Sequence, residues 1–540
     1  MITAIQPTSH AFADLEPFPP PPGASGSPPP PGAPSLNFAI TFESSGKWPD
    51  DLRAIASLKT AFYLRLATLI EEQGQLLCEV RHDTLHVQMD GFVFSGVIHH
   101  AGTSKLLEAS GDWAAADAMR WRTDAGARHV SSLSALGRTH PAYPPSVRLA
   151  KRWLSCQLHS GVLSDALVAL LVAHAFASSS AGARPPASAA AGFVRFLHLL
   201  ASFDFFNEPL LLAVSDGATI TPATREVASA AFAAARHAAK SAAADIDSAS
   251  TSEAAEAAST ALAALPTIWV ATDEQPSGAD GCARGPSWQV LARLQVIARA
   301  ALGQAERAMC VEASALVSLG QGTAATPAAM SDVSPPKDAA DAAAVATDRG
   351  LRALFGRMFD PPAADFDALL MLNSSALPKA HLSWIPAEGG AGNGGTLKVG
   401  GSKSASNVYA NLRKGEIGRG IGDDDVAALV ERLRDAYGSL ALFFYDGHGG
   451  RAVAIKWRPA AFLPARLTAG TAPHRMLIRR MAPRDTQEGP DDDTSAALVD
   501  VSKPWALPNL PDILAGMVDL GGGLVKTVKL PRSCHGLSDA

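Results

Sequence analysis

HPAYPPSVRLAKRWLSCQLHSGVLSDALVALLVAHAF, at residues 140–176, predicts a helical hairpin around which the rest of the chain is organised. Its prolines exclude a helix before Ser146, which can then act as an N-cap. Gly161 ends the first helix, and Ser164 caps the second. Apolar residues recur at steps of three and four on each helix: Val147, Ala150, Leu154 and Leu158, then Leu167, Leu170, Leu171 and Ala175. Two such stripes must pack against each other and a third element, so the hairpin predicts the centre of a helical domain.

Length and charge place broad limits on the protein. The 540 residues suffice for roughly two to four domains with separate cores. A net charge of −6 excludes a general basic field that would attract nucleic acid, so any RNA contact must be local. The five cysteines are odd in number and never spaced as CxxC. This usage indicates a reducing, intracellular compartment, with neither a zinc site nor a disulfide framework.

The N-terminus shows no sign of secretion or membrane insertion. Residues 1–18 lack both a basic region and a continuous apolar core. The apolar run within 165–177 is too short to cross a bilayer, so we expect a soluble protein without membrane partners. Residues 1–36 contain PFPPPPGASGSPPPPGAP, which predicts a disordered tail or linker.

The remaining pattern predicts an α+β multidomain fold. Alternating NFAITFE, a helix beginning at Trp48 and three short strands indicate a partial α/β unit over 37–135. A helical domain follows over 136–314, with Ala-rich exposed helix in its second half. Residues 315–347 predict a low-complexity linker. FDALLML, a later helix and the hairpin LALFFYD-GHGG-AVAIKW indicate a C-terminal α/β domain over 348–530, before a tail at 531–540.

Several of these segments resemble one known family. VRLAKRW, LLVAHAF, GFVRFLHLLASFDFFNEPLLL and LRDAYGSLALFFYDGHGG are similar, in this order, to the Nrap family of nucleolar RNA-associated proteins. TFESSGKWPDDLRAIASLKTAFYLRLA and LPNLPDILAGMVDLGGGLVKTV extend the likeness across most of residues 37–530. The likeness is to the C-terminal half of the family's chain, which contains two tandem halves.

The resemblance implies a fold, a location and partners. Each half of the family's chain is similar to a nucleotidyltransferase followed by a helical domain like those of poly(A) polymerases and oligoadenylate synthetases. Family members are described as having lost the catalytic carboxylates and as serving as scaffold in the small-subunit processome. For this chain the resemblance therefore implies nucleolar residence, contact with pre-rRNA and protein partners of the UTP-C subcomplex.

The residues themselves do not supply a nucleotidyltransferase site. Such an enzyme needs two metal ions held by an Asp-x-Asp pair and a third carboxylate. Asp245 and Asp247 have the spacing but lie in an Ala-rich stretch that cannot be a core strand. In such an enzyme a Gly-Ser turn that seats the triphosphate precedes the carboxylates. Asp365 and Asp367 come before the nearest Gly-Ser pairs, so their order is reversed. Asp90 could provide the third carboxylate, but its partners would have to be Asp14 and Glu16, the acidic residues within 1–36.

Histidine pairs are equally weak candidates for a site. His82 and His86 have the spacing of a helical metal pair, but their segment predicts a strand. His99 and His100 lie at a strand end, and His448 lies in a predicted turn. The sequence therefore predicts no catalytic residue, no cofactor and no metal site.

Two basic clusters are candidate contacts for RNA or protein partners. Arg148, Lys151 and Arg152 lie on one flank of the first central helix, and a plain solvated face explains them equally well. The second cluster, near HRMLIRRMAPR, fits a phosphate-contacting patch or a nuclear import signal: Arg475, Arg479, Arg480 and Arg484.

The sequence thus favours a non-catalytic scaffold of small-subunit ribosome biogenesis that binds pre-rRNA and processome proteins. An active template-independent RNA nucleotidyltransferase and a protein-only interaction module are the alternatives.

Overall fold

The computed structural model describes part of the chain, which divides into two compact units. The described residues are 2–18, 35–43, 48–81, 83–90, 92–177, 184–214, 219–248, 267–275, 278, 286–321, 356–373, 376–377, 424–459, 465–466, 476–479 and 505–530. The first unit comprises residues 1–360 and 419–423, and the second comprises 361–418 and 424–540. Within the described residues, no helix is both long enough and apolar enough to span a bilayer.

The first unit begins with a five-stranded mixed sheet. Its strands are β1 (Ile2–Pro7), β2 (Ser35–Phe42), β3 (Leu77–Arg81), β4 (Thr84–Met89) and β5 (Phe92–His99). They lie in the order β1-β2-β5-β4-β3, with β2 and β5 parallel and the other neighbours antiparallel. Helix α1 (Leu52–Gly74) makes the crossover from β2 and is capped by Asp51, whose Oδ2 accepts from Ala54 N at 2.9 Å. The strands and helix form the kind of α/β unit that the alternation indicated, but the helix begins at Leu52 and not at Trp48.

Tyr63 fixes α1 on this sheet. Its ring is fully buried with Ile40, Leu85 and Ile98. Its hydroxyl accepts from Ile98 N at 2.8 Å and donates to the carbonyl oxygen of Asp83 at 3.2 Å. The buried face of α1 thus includes a tyrosine and, one turn earlier, Lys59.

The prediction of a disordered tail over residues 1–36 is wrong for much of that segment. Residues 2–7 form an edge strand, residues 10–13 form a 3₁₀ turn, and residues 35–36 already belong to β2. Leu15 is fully buried and Ala13 nearly so, which anchors the segment in the first unit. The rest of the Pro-rich run, residues 19–34, lies outside the described residues, so the prediction is not tested there.

Nine helices complete the described part of the first unit. They are α1, already introduced, α2 (Ala101–Ala109), α3 (Trp113–Arg122), α4 (Asp124–Thr139), α5 (Tyr143–Cys156), α6 (Asp165–Ala177), α7 (Ala189–Ser202), α8 (Pro222–Ser248) and α9 (Trp288–Gln321). Two short parallel strands, β6 (Leu210–Leu212) and β7 (Val270–Thr272), pair beside the bundle. Helix α8 confirms the predicted Ala-rich helix, and α9 continues past residue 314.

The central hairpin has the predicted helices with different bounds. Helix α5 begins at Tyr143, because Pro144 and Pro145 occupy a first turn in which backbone N–H donors are not needed. Ser146 is therefore not an N-cap; its hydroxyl donates to the carbonyls of Ala142 and Ala189, at 2.7 and 3.1 Å. The helix ends at Cys156, before the turn that contains Gly161. Ser164 does cap α6, accepting from Leu167 N at 3.2 Å.

Helix α6 is buried almost all round, where the sequence predicted a single stripe. Val168, Ala169, Val172 and Ala173 are buried together with the predicted leucines. Trp153 of α5 is fully buried against Phe193 and Phe196 of α7, with ring centroids 6.2 and 6.3 Å apart. The hairpin is thus the centre of the helical bundle, as its pattern predicted.

The second unit is a four-stranded antiparallel sheet covered by two helices. The strands are β8 (Ala368–Leu372), β9 (Ala441–Tyr445), β10 (Ala452–Trp457) and β14 (Val525–Lys529), in the order β14-β8-β10-β9. Helices α10 (Asp425–Tyr437) and α11 (Leu510–Gly521) supply Leu429, Leu433 and Met517 to its core. A separate three-stranded sheet contains β11 (Ala465–Arg466), β12 (Met476–Arg479) and β13 (Trp505–Pro508). The β9–β10 pairing confirms the predicted hairpin, and Gly449 in its turn has φ +106°.

Candidate functional site

The N-terminal segment and helices α5 and α6 form a cluster of charged side chains within the first unit. Lys151 of α5 lies at its centre, with only 3% of its side chain exposed. Its Nζ is 3.1 Å from Glu16 Oε1, 3.2 Å from Asp165 Oδ2 and 3.3 Å from His10 Nδ1. An ammonium group has three protons to donate, and here three acceptors surround it. We refer to Lys151, His10, Glu16 and Asp165 as the Lys151 cluster.

The other two basic residues of α5 also contact the N-terminal segment. Arg148 Nη1 donates to Asp14 Oδ1 at 2.7 Å. The guanidinium of Arg152 lies over the ring of Phe18, 5.5 Å from its centroid. The three cations of α5 that were predicted as RNA or partner contacts therefore all contact the N-terminal segment of their own chain. Lys151 lies neither on a solvated face nor on an open flank for RNA, because the N-terminal segment around Glu16, 135 positions away in sequence, covers it.

Two histidines inside this region are neutral at physiological pH. Burial, assisted by the Lys151 ammonium, lowers the pKa of His10 to about 3 and that of His129 to about 4. Their ring centroids lie 5.3 Å apart, and the ring of His129 also meets Trp121 edge-on at 5.3 Å. Neutral His10 can accept a hydrogen bond from Lys151 without adding charge. The cluster thus balances one buried ammonium with two carboxylates.

The donor set does not fit the metal ions of a catalytic nucleotidyltransferase. Among the described residues, His10, Glu16 and Asp165 are the only group of three or more His, Cys, Asp or Glu residues whose ligand atoms lie close enough to share an ion, all within 4.8 Å. The ammonium of Lys151 contacts all three and supplies the positive charge that the carboxylates need. A cation could enter only by displacing it, at the cost of leaving a buried ammonium without partners.

The other carboxylates considered as metal ligands, and Asp83 beside them in the sequence, have separate surroundings. Asp83 and Asp90 occupy turns at the two ends of β4, which an extended strand places roughly 20 Å apart. Asp83 contacts the Tyr63 hydroxyl, and Asp90 is exposed with φ +52°. In the second unit, Asp367 accepts from Lys456 Nζ and Trp457 N, both at 2.8 Å. Asp245 and Asp247 fall within helix α8, as their composition indicated, and not on a strand.

The histidine pairs have local structural roles where they are described. His86 Nδ1 is 2.7 Å from Ser95 Oγ, across the β4–β5 pair, and both side chains are buried. The ring of His100 stacks on Trp48 at 4.4 Å. His82 lies outside the described residues.

The second basic cluster is largely outside the described part of the chain. Arg475, Arg480 and Arg484 are not described, and Arg479 is described only as the last residue of β12. RNA contact or nuclear import through this cluster stays a prediction. Sequence reasoning missed His10, Asp14, Glu16 and Asp165 as partners of the α5 cations, because the acids lie in a segment read as disordered and on a different helix.

Removing Glu16 should destabilise the first unit more than removing Asp14. Glu16, 24% exposed, faces a buried ammonium, so Glu16→Gln should reduce the free energy of unfolding by about 2 kcal/mol. Asp14 is 68% exposed in its pair with Arg148, so Asp14→Asn should cost about 0.5 kcal/mol. Urea unfolding of both variants measures the difference. Equal losses would show that Lys151 does not depend on Glu16.

Acid should weaken the fold through His129. An unfolded histidine has a pKa near 6.5, whereas folded His129 titrates near 4, so the unfolded state binds more protons in between. The contribution of His129 to the free energy of unfolding is fully present above about pH 6.5 and is lost as the pH falls towards 4. Between pH 7 and 5 the wild-type free energy of unfolding should fall on the order of 2 kcal/mol more than that of His129→Phe. His198→Phe, at an exposed histidine, should fall as the wild type does; an unchanged fall in His129→Phe would contradict the assignment.

Comparison with known proteins places this geometry in a family. Residues 1–134 match the Nrap protein nucleotidyltransferase domain 4, residues 140–318 the Nrap protein PAP/OAS1-like domain 5, and residues 363–528 the Nrap protein domain 6. Both the α+β multidomain fold and the helical partner domain agree with these descriptions.

Individual relatives carry the name Nucleolar protein 6. Those of Xenopus tropicalis and Homo sapiens are each 27% identical, over 506 and 496 residues, which is 90% of this chain and 35% of theirs. That of Xenopus laevis is 28% identical over 434 residues, 78% of this chain and 31% of the relative. The chain thus spans about a third of the length of the curated relatives it matches, and their name places it in the nucleolus. Because three domain models of one family match it in succession over most of its length, the chain belongs to the Nrap family.

Proposed function

We propose that the chain is a non-catalytic scaffold of small-subunit ribosome biogenesis, which binds pre-rRNA and proteins of the small-subunit processome. The partners proposed are those of the UTP-C subcomplex. Nucleolar location and the nucleotidyltransferase-like domain of its relatives support a role close to pre-rRNA. The domain would serve as a folded framework, with no metal, cofactor or catalytic residue.

The observation that carries this proposal is the ammonium of Lys151 inside the acidic donor set. Two-metal phosphoryl transfer needs carboxylates that converge on cations and on the triphosphate. Here Glu16 and Asp165 converge on a lysine of the same chain. Asp83 and Asp90, at opposite ends of β4, lie too far apart to share an ion. The charges of this region therefore hold the polypeptide together.

The RNA-binding part of the proposal requires local contacts. Net charge is −6, and the basic residues of α5 are engaged by Asp14, Glu16 and Phe18. Arg148 and Arg152 remain partly exposed and are proposed, with Arg475, Arg479 and Arg480, as phosphate or partner contacts. Lys151 is withdrawn from that set, since a buried ammonium in three hydrogen bonds cannot reach a phosphate.

An assay for nucleotide incorporation tests the absence of catalysis. The purified chain, incubated with magnesium, ATP and labelled RNA, should extend the RNA no more than a protein-free sample, and Asp90→Ala should behave identically. The reason is that, among the described residues, Asp90 belongs to no group of three or more side chains that could share a metal ion. Incorporation that disappears in Asp90→Ala would establish an active nucleotidyltransferase and reject the scaffold.

Salt dependence separates the RNA-binding scaffold from a protein-only module. Affinity for single-stranded pre-rRNA fragments should fall as salt rises, with a slope in log–log form of about −0.7 for each phosphate contacted. A gel-shift or anisotropy titration at several salt concentrations measures this slope. Absence of RNA binding at low salt would favour the protein-only module. Binding of RNA together with capture of processome proteins by the same chain would support both the RNA-binding and the protein-binding parts of the proposal.

A further inference from the structure

A groove within the first unit lies between the end of α7 and the first turns of α9, well separated in sequence from the Lys151 cluster. Its volume is about 320 Å³. The residues that matter for its chemistry are Phe206, Trp288, Leu291, Ala292, Gln295 and Arg299. The volume is comparable to that of small-molecule pockets at the lower end of their range. The groove combines an aromatic wall, an apolar floor and a polar rim.

The aromatic wall is held in place before any ligand arrives. Phe206 is 49% exposed, and its ring meets Trp288 edge-to-face with centroids 5.1 Å apart. The guanidinium of Arg236 lies over the Trp288 ring, 5.0 Å from the centroid. Arg236 is fixed in turn, because its Nη2 donates to the carbonyls of Phe205 and Thr267, at 3.0 and 2.9 Å. A half-exposed ring on such a support is a preformed stacking surface.

The rim presents both hydrogen-bond donors and acceptors. Arg299 Nε donates to the Ala201 carbonyl at 3.1 Å, which directs the guanidinium while leaving its terminal nitrogens for a ligand. Gln295 Nε2 donates to the Phe203 carbonyl at 3.2 Å, which leaves its amide oxygen as an acceptor. Hydrogen bonds from Asn207 and the backbone N–H of Phe206 lower the pKa of Asp204, so a carboxylate acceptor stands at the same rim.

We infer that this groove binds one unpaired nucleobase of RNA, stacked on Phe206, with the neighbouring phosphate on Arg299. The inference rests on the proposed RNA-binding function and names its site. A nucleobase has an apolar face and a polar edge, and the groove has an aromatic face with donors and acceptors around it. An aliphatic side chain of a protein partner would leave the amide oxygen of Gln295 and the terminal nitrogens of Arg299 without matching groups, which is costly once water is excluded. Arg299 supplies the charge that a phosphate requires.

Variants of the full chain test the site with a single-stranded oligoribonucleotide of unstructured sequence. Phe206→Ala should weaken binding about tenfold, because base stacking is lost. Arg299→Gln should weaken it severalfold and make the salt slope shallower by about one phosphate contact. Phe206 is half-exposed and Arg299 is exposed, so both variants should unfold at the wild-type temperature.

Two matched controls lie elsewhere in the first unit. Trp113→Ala removes a 62% exposed aromatic residue of α3, and Arg307→Gln removes an arginine of α9 whose Nε donates to the Gly303 carbonyl at 3.0 Å. Both should bind RNA as the wild type does. With 4-thiouridine in the oligonucleotide, the photo-crosslinked peptides should contain Phe206 or Trp288.

The outcomes separate this inference from the proposed function. If the wild type binds RNA but Phe206→Ala and Arg299→Gln bind equally well, with crosslinks elsewhere, the groove is not the site and the RNA-binding function stands. If the two variants keep RNA affinity but lose capture of a processome protein, the groove is a protein site and the inference fails. If no protein in the series binds RNA, the inference and the RNA-binding function both fail.

Discussion

A buried ammonium group is the constraint on which the N-terminal part of this structure depends. Lys151 lies on the central helix of the bundle, in a position that the packing of α5 removes from water. An unpaired charge there would be strongly unfavourable, so it needs acidic partners. Glu16 comes from the N-terminal segment and Asp165 from the first turn of α6. One side chain thereby ties an edge segment of the sheet region to the helical bundle.

The same constraint supports the proposal that the chain is non-catalytic. Carboxylates that converge in a cleft can bind either metal ions or basic side chains. A metal ion and a basic side chain cannot occupy the same position between them. Here the converging carboxylates hold Lys151, while Asp14 and Asp367 pair with Arg148 and Lys456. These pairings favour interactions within the polypeptide over interactions with cations and a triphosphate. The proposal of a scaffold follows from that preference.

A further surface for a partner lies in another part of the first unit. The aromatic groove beside Phe206 has such a position, since it is built by α7, α9 and the turn between α7 and β6. Its rigidity comes from Arg236, which is stacked between Phe232 and Trp288 and bonded to two carbonyls. A fixed aromatic surface loses little conformational entropy when it binds. Scaffolding and RNA recognition can therefore use different parts of one unit.

Local sequence patterns determined most of the elements of this protein and its family. Alternating apolar residues predicted the strands that pack around Tyr63, and helical periodicity predicted the central hairpin. Glycines predicted the β9–β10 turn, and the order of several sequence segments indicated the resemblance to the Nrap family. Each signal acts over a few residues, where backbone geometry and side-chain spacing are directly related. Helix bounds were less predictable at Pro144 and Pro145, because proline can either precede a helix or occupy its first turn.

Tertiary structure alone decided which charges meet. Lys151 and Glu16 are 135 positions apart in the sequence. Phe206 and Trp288, whose rings meet in the groove, are 82 positions apart (288 − 206). No periodicity spans such separations, and a basic flank on a helix has the same sequence whether water, RNA or its own chain covers it. The Pro-rich composition of residues 1–36 concealed the strand at Ile2–Pro7 and the turn at His10–Ala13, which Glu16 follows. Only the packed bundle shows that the α5 lysine is buried and neutralised, since burial is a property of what surrounds a residue and not of the residue itself.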